Sequence, residues 1–164
     1  MAVYGGRYSD ASLPEEIAVG KGLRLLDARL VSATWSEPLG RWGPIETGWE
    51  LGLAQHLGDQ DHQELNGLFL LRYELPWSAS LPSSLAIGEG LSVATDVPPL
   101  EAASHTNTGA TRLLNHLVLE ATVGPRGARW QALVRIHHRS GVFGLFDGVD
   151  GGSNVLALGV RWSW

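Results

Sequence analysis

The stretch RWQALVRIHHRSGVFGLFDGVDGGSNVLALGVRWSW, Arg129 to Trp164, decides the fold. It reads as two strands joined by a loop rich in Gly and Asp. From Asn154 onward the even positions are Leu156, Leu158, Val160, Trp162 and Trp164, and the odd positions are Val155, Ala157, Gly159, Arg161 and Ser163. One face is large and apolar and the other is mostly small or polar. A period of two with one large apolar face marks a strand that has one side in an apolar medium.

The same alternation recurs upstream. Strands are expected over Ala2–Tyr8, Leu25–Ser36, Ile45–His56, Leu65–Leu75, Ser84–Val93, Arg112–Val123, Arg129–Ser140 and Asn154–Trp164. Imperfect alternation in the second suggests a bulge. Glu37–Gly43 reads as a turn, and no segment reads as an amphipathic helix. Strands of roughly ten residues cross a bilayer when tilted. Connections after odd strands read as the longer ones, as in a barrel with short turns at one end and longer loops at the other. Trp35, Trp42, Trp49, Trp77, Trp130, Trp162 and Trp164 fall in or near the short-turn ends, where an amphipathic indole ring suits a membrane–water boundary. The polar face carries Glu46, Glu50, Arg72, Glu74, His116, Glu120, Arg135 and Arg161. That mixture of signs suits a narrow barrel filled by a charged network. The expected fold is a single domain over residues 1–164, all-β, an eight-stranded antiparallel up-and-down transmembrane barrel. The competing architecture is a soluble eight-stranded barrel with its apolar face inward.

Composition narrows the function classes. The chain has 164 residues and a net charge of -5, and it has no Lys/Arg stripe, so nucleic acid is not an expected partner. It has no Cys, which removes disulfides and thiolate ligands. No apolar run is long enough for a spanning helix. Met1 runs directly into AVYGGRYSD with no secretory leader pattern, which fits a cytosolic protein or a mature form with an added Met.

Parity then places the candidate chemistry. Trp130, Ala132, Val134 and Ile136 form the apolar set of the seventh strand, and His138 and Ser140 continue it. Both therefore face lipid, at the end of the strand away from the Trp-rich rim. Residues i and i+2 share a face about 7 Å apart. A His and a Ser there suit nucleophilic catalysis, with His as general base and Ser as nucleophile. The bland alternative is a pair of polar residues among lipid head groups. Of the remaining candidates, His137 faces the interior and is expected to join Arg135, Glu120 and Arg161. His137 and His138 point to opposite faces, so they do not make a metal pair, and no metal site is expected. DGVDGGSN only hints at a Ca²⁺ turn. Glu89, among Leu85, Ile87, Leu91 and Val93, is either turned inward by a bulge or is a second outward polar group.

The segment VRIHHRSG…GGSN followed by a closing strand resembles the end of the outer-membrane lipid A 3-O-deacylases, the PagL-type barrels. The resemblance covers the whole chain in strand count and loop pattern, and is specific over about Leu133–Trp164. It implies an esterase of the bacterial outer membrane that removes an ester-linked 3-hydroxyacyl chain from lipid A, the membrane anchor of lipopolysaccharide. It further implies an outward-facing Ser-His-acid triad and no cofactor. The family's His and Ser match His138 and Ser140. Where the family has Asn after that Ser, this chain has Gly141. The family's Glu falls near Asn154, which can orient an imidazole but carries no charge; Asp150 is the nearest alternative acid. Oxyanion donors are expected from the Gly141–Gly144 loop. The terminal aromatic, Trp164, resembles the terminal signature read by the outer-membrane assembly machinery. The second functional reading is a non-enzymatic small outer-membrane barrel with a structural or adhesive role.

Overall fold

A computed structural model describes residues 1–10, 24–103, 110–149 and 151–163. Eight strands are joined edge to edge into one closed barrel in chain order. They are β1 (Ala2–Ser9), β2 (Leu25–Trp42), β3 (Ile45–Gly58), β4 (Gln63–Glu74), β5 (Ser83–Ala94), β6 (Leu113–Val123), β7 (Trp130–Ser140) and β8 (Gly152–Trp162). All neighbours are antiparallel, and β1 pairs with β8 to close the wall. Closure leaves no edge strand, so every strand has a neighbour on each side for its backbone N–H and C=O groups.

Burial follows the period of two. Leu133, Arg135, His137 and Arg139 point inward, while Trp130, Ala132 and Val134 are exposed. The outer wall carries Leu53, Phe69 and Leu158 with 66–70% of their surface exposed, along with Leu51, Leu65, Leu85 and Leu91. An apolar belt of this extent is untenable in water and is the surface a bilayer requires. No helix among the described residues is long and apolar enough to cross a membrane; here the strands cross. The soluble inside-out alternative is thereby removed. The architecture is that of a bacterial outer-membrane barrel.

The interior is polar, as the mixed charges imply. Arg135 is fully buried and donates to Glu50 at 2.7 and 3.1 Å and to Glu120 at 2.9 Å. Arg72 donates to the other oxygen of Glu120 at 2.7 Å. The Arg135 guanidinium also lies 4.7 Å above the Tyr4 ring. Arg161 stands apart from this cluster and donates instead to Gln131 at 3.0 Å. His137 does not join it either; its Nε2 meets Glu64 at 2.9 Å in a second network, nearer the other mouth.

Two local expectations change and one holds. The segment Glu37–Gly43 is not a turn, because β2 continues to Trp42 and the chain reverses at Gly43–Pro44. The bulge expected within Leu25–Ser36 is present, since the register against β1 shifts between the pairs Arg7–Arg29 and Ser9–Leu25, and β2 slips a second time, against β3, at Pro38–Gly40. Pro has no N–H to offer a ladder, so a bulge is where a strand tolerates it. The 59–62 connection is shorter than 75–82, so the length asymmetry rests on 10–24, 95–112 and 141–151. At the mouth these loops share, one turn of helix, α1 (Pro99–Ala102), folds over the barrel. Its Glu101 is buried, and both of its carboxylate oxygens accept from Arg139 Nη1 at 2.8 Å, Oε1 accepting also from Ser153 Oγ at 2.8 Å. Leu100 packs on the core formed by Tyr4, Tyr8, Leu30 and Val155. Of the Trp set, Trp35, Trp42, Trp77, Trp130 and Trp162 are exposed and Trp49 is partly so; Trp164 lies outside the described residues.

Candidate active site

The register between β5, β6, β7 and β8 builds the site. It sets Glu89, Leu117, His138 and Asn154 in one row of the outer wall. The next row, nearer the long loops, is Leu91, Asn115, Ser140 and Gly152. His138 and Ser140 thus lie on the lipid face, both half-buried. Across the β7–β8 ladder, His138 Nδ1–H donates to Asn154 Oδ1 at 2.7 Å. A neutral imidazole that donates from Nδ1 keeps its lone pair on Nε2, which is the form a general base needs. Asn154 is buried although its parity is outward, so the bond is sheltered from solvent.

Ser140 has a bare neighbour on one side. Gly152 faces it across the ladder, and a Cβ there would sit 1.9 Å from the Arg139 carbonyl oxygen. On the other side Asn115 donates to Glu89 Oε1 and to the Gly90 carbonyl, the latter at 3.2 Å. Pairing of β5 is regular on both sides and Glu89 is exposed, so it is an outward polar group and no bulge turns it in. Asn115 has no place in the sequence reading. Its signal was available, since it shares odd parity with Leu117, Leu119 and Ala121 on the apolar face of β6. A carboxylate and an amide on a lipid-facing wall are costly and mark function more often than packing. Below Glu89 a shallow groove of about 340 Å³ runs between Phe69, Leu71, Ile87 and Leu39.

The loop after Ser140 is tightly wound. Gly141 N–H donates to the Gly151 carbonyl at 2.9 Å, and Gly144 N–H to that of Val149 at 3.0 Å. Both amides are therefore committed within the loop. Val142 and Phe143 adopt left-handed φ of 49° and 54°, and among the described residues neither amide has a backbone partner. For a β-branched residue such as Val142 this conformation is strained and needs the surrounding loop to hold it. Gly141 itself admits no side chain, because a Cβ would lie 1.9 Å from the Val149 carbonyl oxygen. That close approach accounts for Gly at this position. Thr111 Oγ1 donates to Asp147 at 3.1 Å and ties the loop to the neighbouring connection. Phe143 and Leu145 stand out of the loop, 97% and 77% exposed. Asp150 lies outside the described residues.

Known proteins bear on the fold. No protein-family model matches the chain, and no curated protein matches it by sequence. Among solved structures it is similar to the outer membrane enzyme PagL, with a TM-score of 0.64 and 14% identity over 99% of each chain. It is also similar to Neisserial surface protein A, NspA, with a TM-score of 0.53 and 12% identity over 99% of this chain and 94% of the other. At such identities the likeness establishes the eight-stranded outer-membrane barrel and nothing about activity.

Proposed function

We propose that the protein is an outer-membrane esterase that removes an ester-linked 3-hydroxyacyl chain from lipid A by a Ser-His mechanism on its lipid-facing wall. The observation that carries this is the His138–Asn154 bond of 2.7 Å on the same outward face as Ser140. The 3-position of lipid A comes from the resemblance of the closing hairpin to the 3-O-deacylases, and PagL, an enzyme, shares the fold.

Ser140 Oγ attacks the ester carbonyl carbon as His138 Nε2 takes the hydroxyl proton. The oxyanion faces the amides of Val142 and Phe143, donors with no backbone partner among the described residues. His138 then returns the proton to the departing sugar oxygen as the C–O bond breaks, leaving an acyl-serine. Water, deprotonated by the same nitrogen, releases the fatty acid and restores Ser140. Asn154 holds the ring in the correct tautomer. It adds no charge to stabilise the imidazolium, so catalysis is slower than a carboxylate would support. Cleavage needs no cofactor in this scheme.

Mass spectrometry of lipid A from cells expressing the protein tests the proposal. Loss of one 3-hydroxyacyl chain with the native protein, and an intact lipid A with Ser140→Ala, is the expected pair of results. An unchanged lipid A in both, with the barrel folded in the outer membrane, would instead support a non-enzymatic barrel. The neutral Asn154 and the likeness to NspA, a surface protein, favour that second reading.

A further inference from the structure

Inside the barrel, beneath the long-loop mouth, four imidazoles gather round one carboxylate. Glu64 on β4 accepts from His56 Nε2 at 2.8 Å and from His137 Nε2 at 2.9 Å. A carboxylate can only accept, so both rings carry their proton on Nε2. Each Nδ1 then accepts from a tyrosine hydroxyl, Tyr8 for His56 and Tyr4 for His137. This chain of bonds is complete in itself. His62, in the 59–62 connection, is not part of it. Its ring stacks on His56 at 4.1 Å with the planes 10° apart, and the residue is only 4% exposed. Both ring nitrogens are buried with no hydrogen-bond partner, and so is Nε2 of the adjacent Gln60.

A buried polar atom left unpaired costs about 1–3 kcal/mol, and where His56, His116 and His137 each have at least one hydrogen bond, the His62 ring has none. The donor atoms of His56, His62 and Glu64 all lie within 4.8 Å of one another. We infer that these three residues form a binding site for a divalent transition-metal ion of the zinc type, held inside the barrel mouth. Two imidazoles and one carboxylate are a donor set that Zn²⁺ takes, with a fourth position left for water. A tetrahedral ion with bonds of about 2.0–2.2 Å holds its ligand atoms roughly 3.5 Å apart, so His56 Nε2 and Glu64 Oε2, 2.8 Å apart, open slightly to admit it and the third ligand has to swing in to it. His62 is the one free to do so, since no hydrogen bond holds its ring and it lies on a short connection instead of in a strand. His56 keeps its outer partner: with the ion on Nε2, its proton moves to Nδ1 and donates to Tyr8, the usual support of a metal-bound His. Glu64 brings the negative charge. The nearby Arg139 guanidinium, 3.8 Å from Glu64, is itself balanced by Glu101. The ion would fasten the 59–62 connection to β3 and β4, away from the outer-wall chemistry.

Chelator-treated protein, refolded in detergent, is titrated with Zn²⁺ by calorimetry and with Co²⁺ by absorption spectroscopy. The expected result is one ion per chain and the intense visible bands of tetrahedral Co²⁺. His62→Ala weakens binding at least ten-fold, and His116→Ala and His138→Ala leave it unchanged. His62→Ala breaks no hydrogen bond and is expected to fold, which a heat-dependent gel shift verifies; Glu64→Gln, which disturbs the network, is judged only if it passes the same check. Absence of stoichiometric binding overturns the inference and leaves buried water as what the His62 nitrogens meet. So does binding that survives His62→Ala. Loss on His116→Ala with retention on His62→Ala would move the ion to the neighbouring set of Glu64, His116 and His137, and would equally overturn the assignment.

Discussion

His138 Nδ1 and Asn154 Oδ1 lie 2.7 Å apart at directly paired positions of β7 and β8, on the lipid side of the wall. The pairing means that the orientation of the base is set by the β-ladder itself. A neutral amide stands where a carboxylate would add charge stabilisation to the same bond. The strength of the site can therefore be tuned at one residue without touching the nucleophile or the base.

Asn154→Asp should raise the rate of deacylation at least ten-fold, because a carboxylate stabilises the imidazolium formed as Ser140 is deprotonated. Asn154→Ala should lower it, since the ring then loses the partner that fixes its tautomer. Time courses of lipid A deacylation in detergent micelles check both. An Asp variant no faster than the native protein would remove His138 from the role of base.

The loop variants separate strain from catalysis. Gly141→Ala puts a methyl group into the Val149 carbonyl and should abolish activity while the barrel stays intact. Val142→Gly should relieve a left-handed φ of 49° and retain both the loop and the activity. Activity assays run beside gel-shift measurements of folding distinguish the two effects.

Glu120→Ala should destabilise the barrel by about 3–5 kcal/mol, because it takes from buried Arg72 its carboxylate partner and leaves buried Arg135 with Glu50 alone. Urea unfolding followed by tryptophan fluorescence in detergent measures the loss. Exchange of exposed Arg29, whose contact with Asp27 is solvated, should change stability by less than 1 kcal/mol.

The closed barrel should migrate faster on a gel before boiling than after, and should need detergent for extraction. A protein released by salt or alkali, with no heat-dependent shift, would contradict the reading of the Leu53, Phe69 and Leu158 surface as a bilayer-facing belt.

Much of this was legible in the chain alone. The alternation of Leu156, Leu158, Val160 and Trp162 against Val155 and Ala157 is a local property of the strand. The same alternation in the seventh strand, Trp130, Ala132, Val134 and Ile136, placed His138 and Ser140 on the outward face before any pairing was known. The mixed charges of the other face announced a filled interior. Asn154 was legible as the partner of His138 only in part, because parity gives the face but not the register that sets two residues opposite each other.

What needed the tertiary structure is what depends on several strands at once. Glu89 is outward because β5 pairs without a slip on either side, and Asn115 reaches it from β6 across the β5–β6 ladder. His137 was expected beside Arg135 and Glu120, from its neighbours in sequence. It meets Glu64 instead, since the barrel tilt brings β4 across the interior at that height. The cluster of His56, His62, Glu64, His116 and His137 has no motif, as its members come from four strands and a connection. Period-two patterning is written in each strand and can be read from it. Contacts across a closed barrel depend on stagger and closure, which no single strand contains.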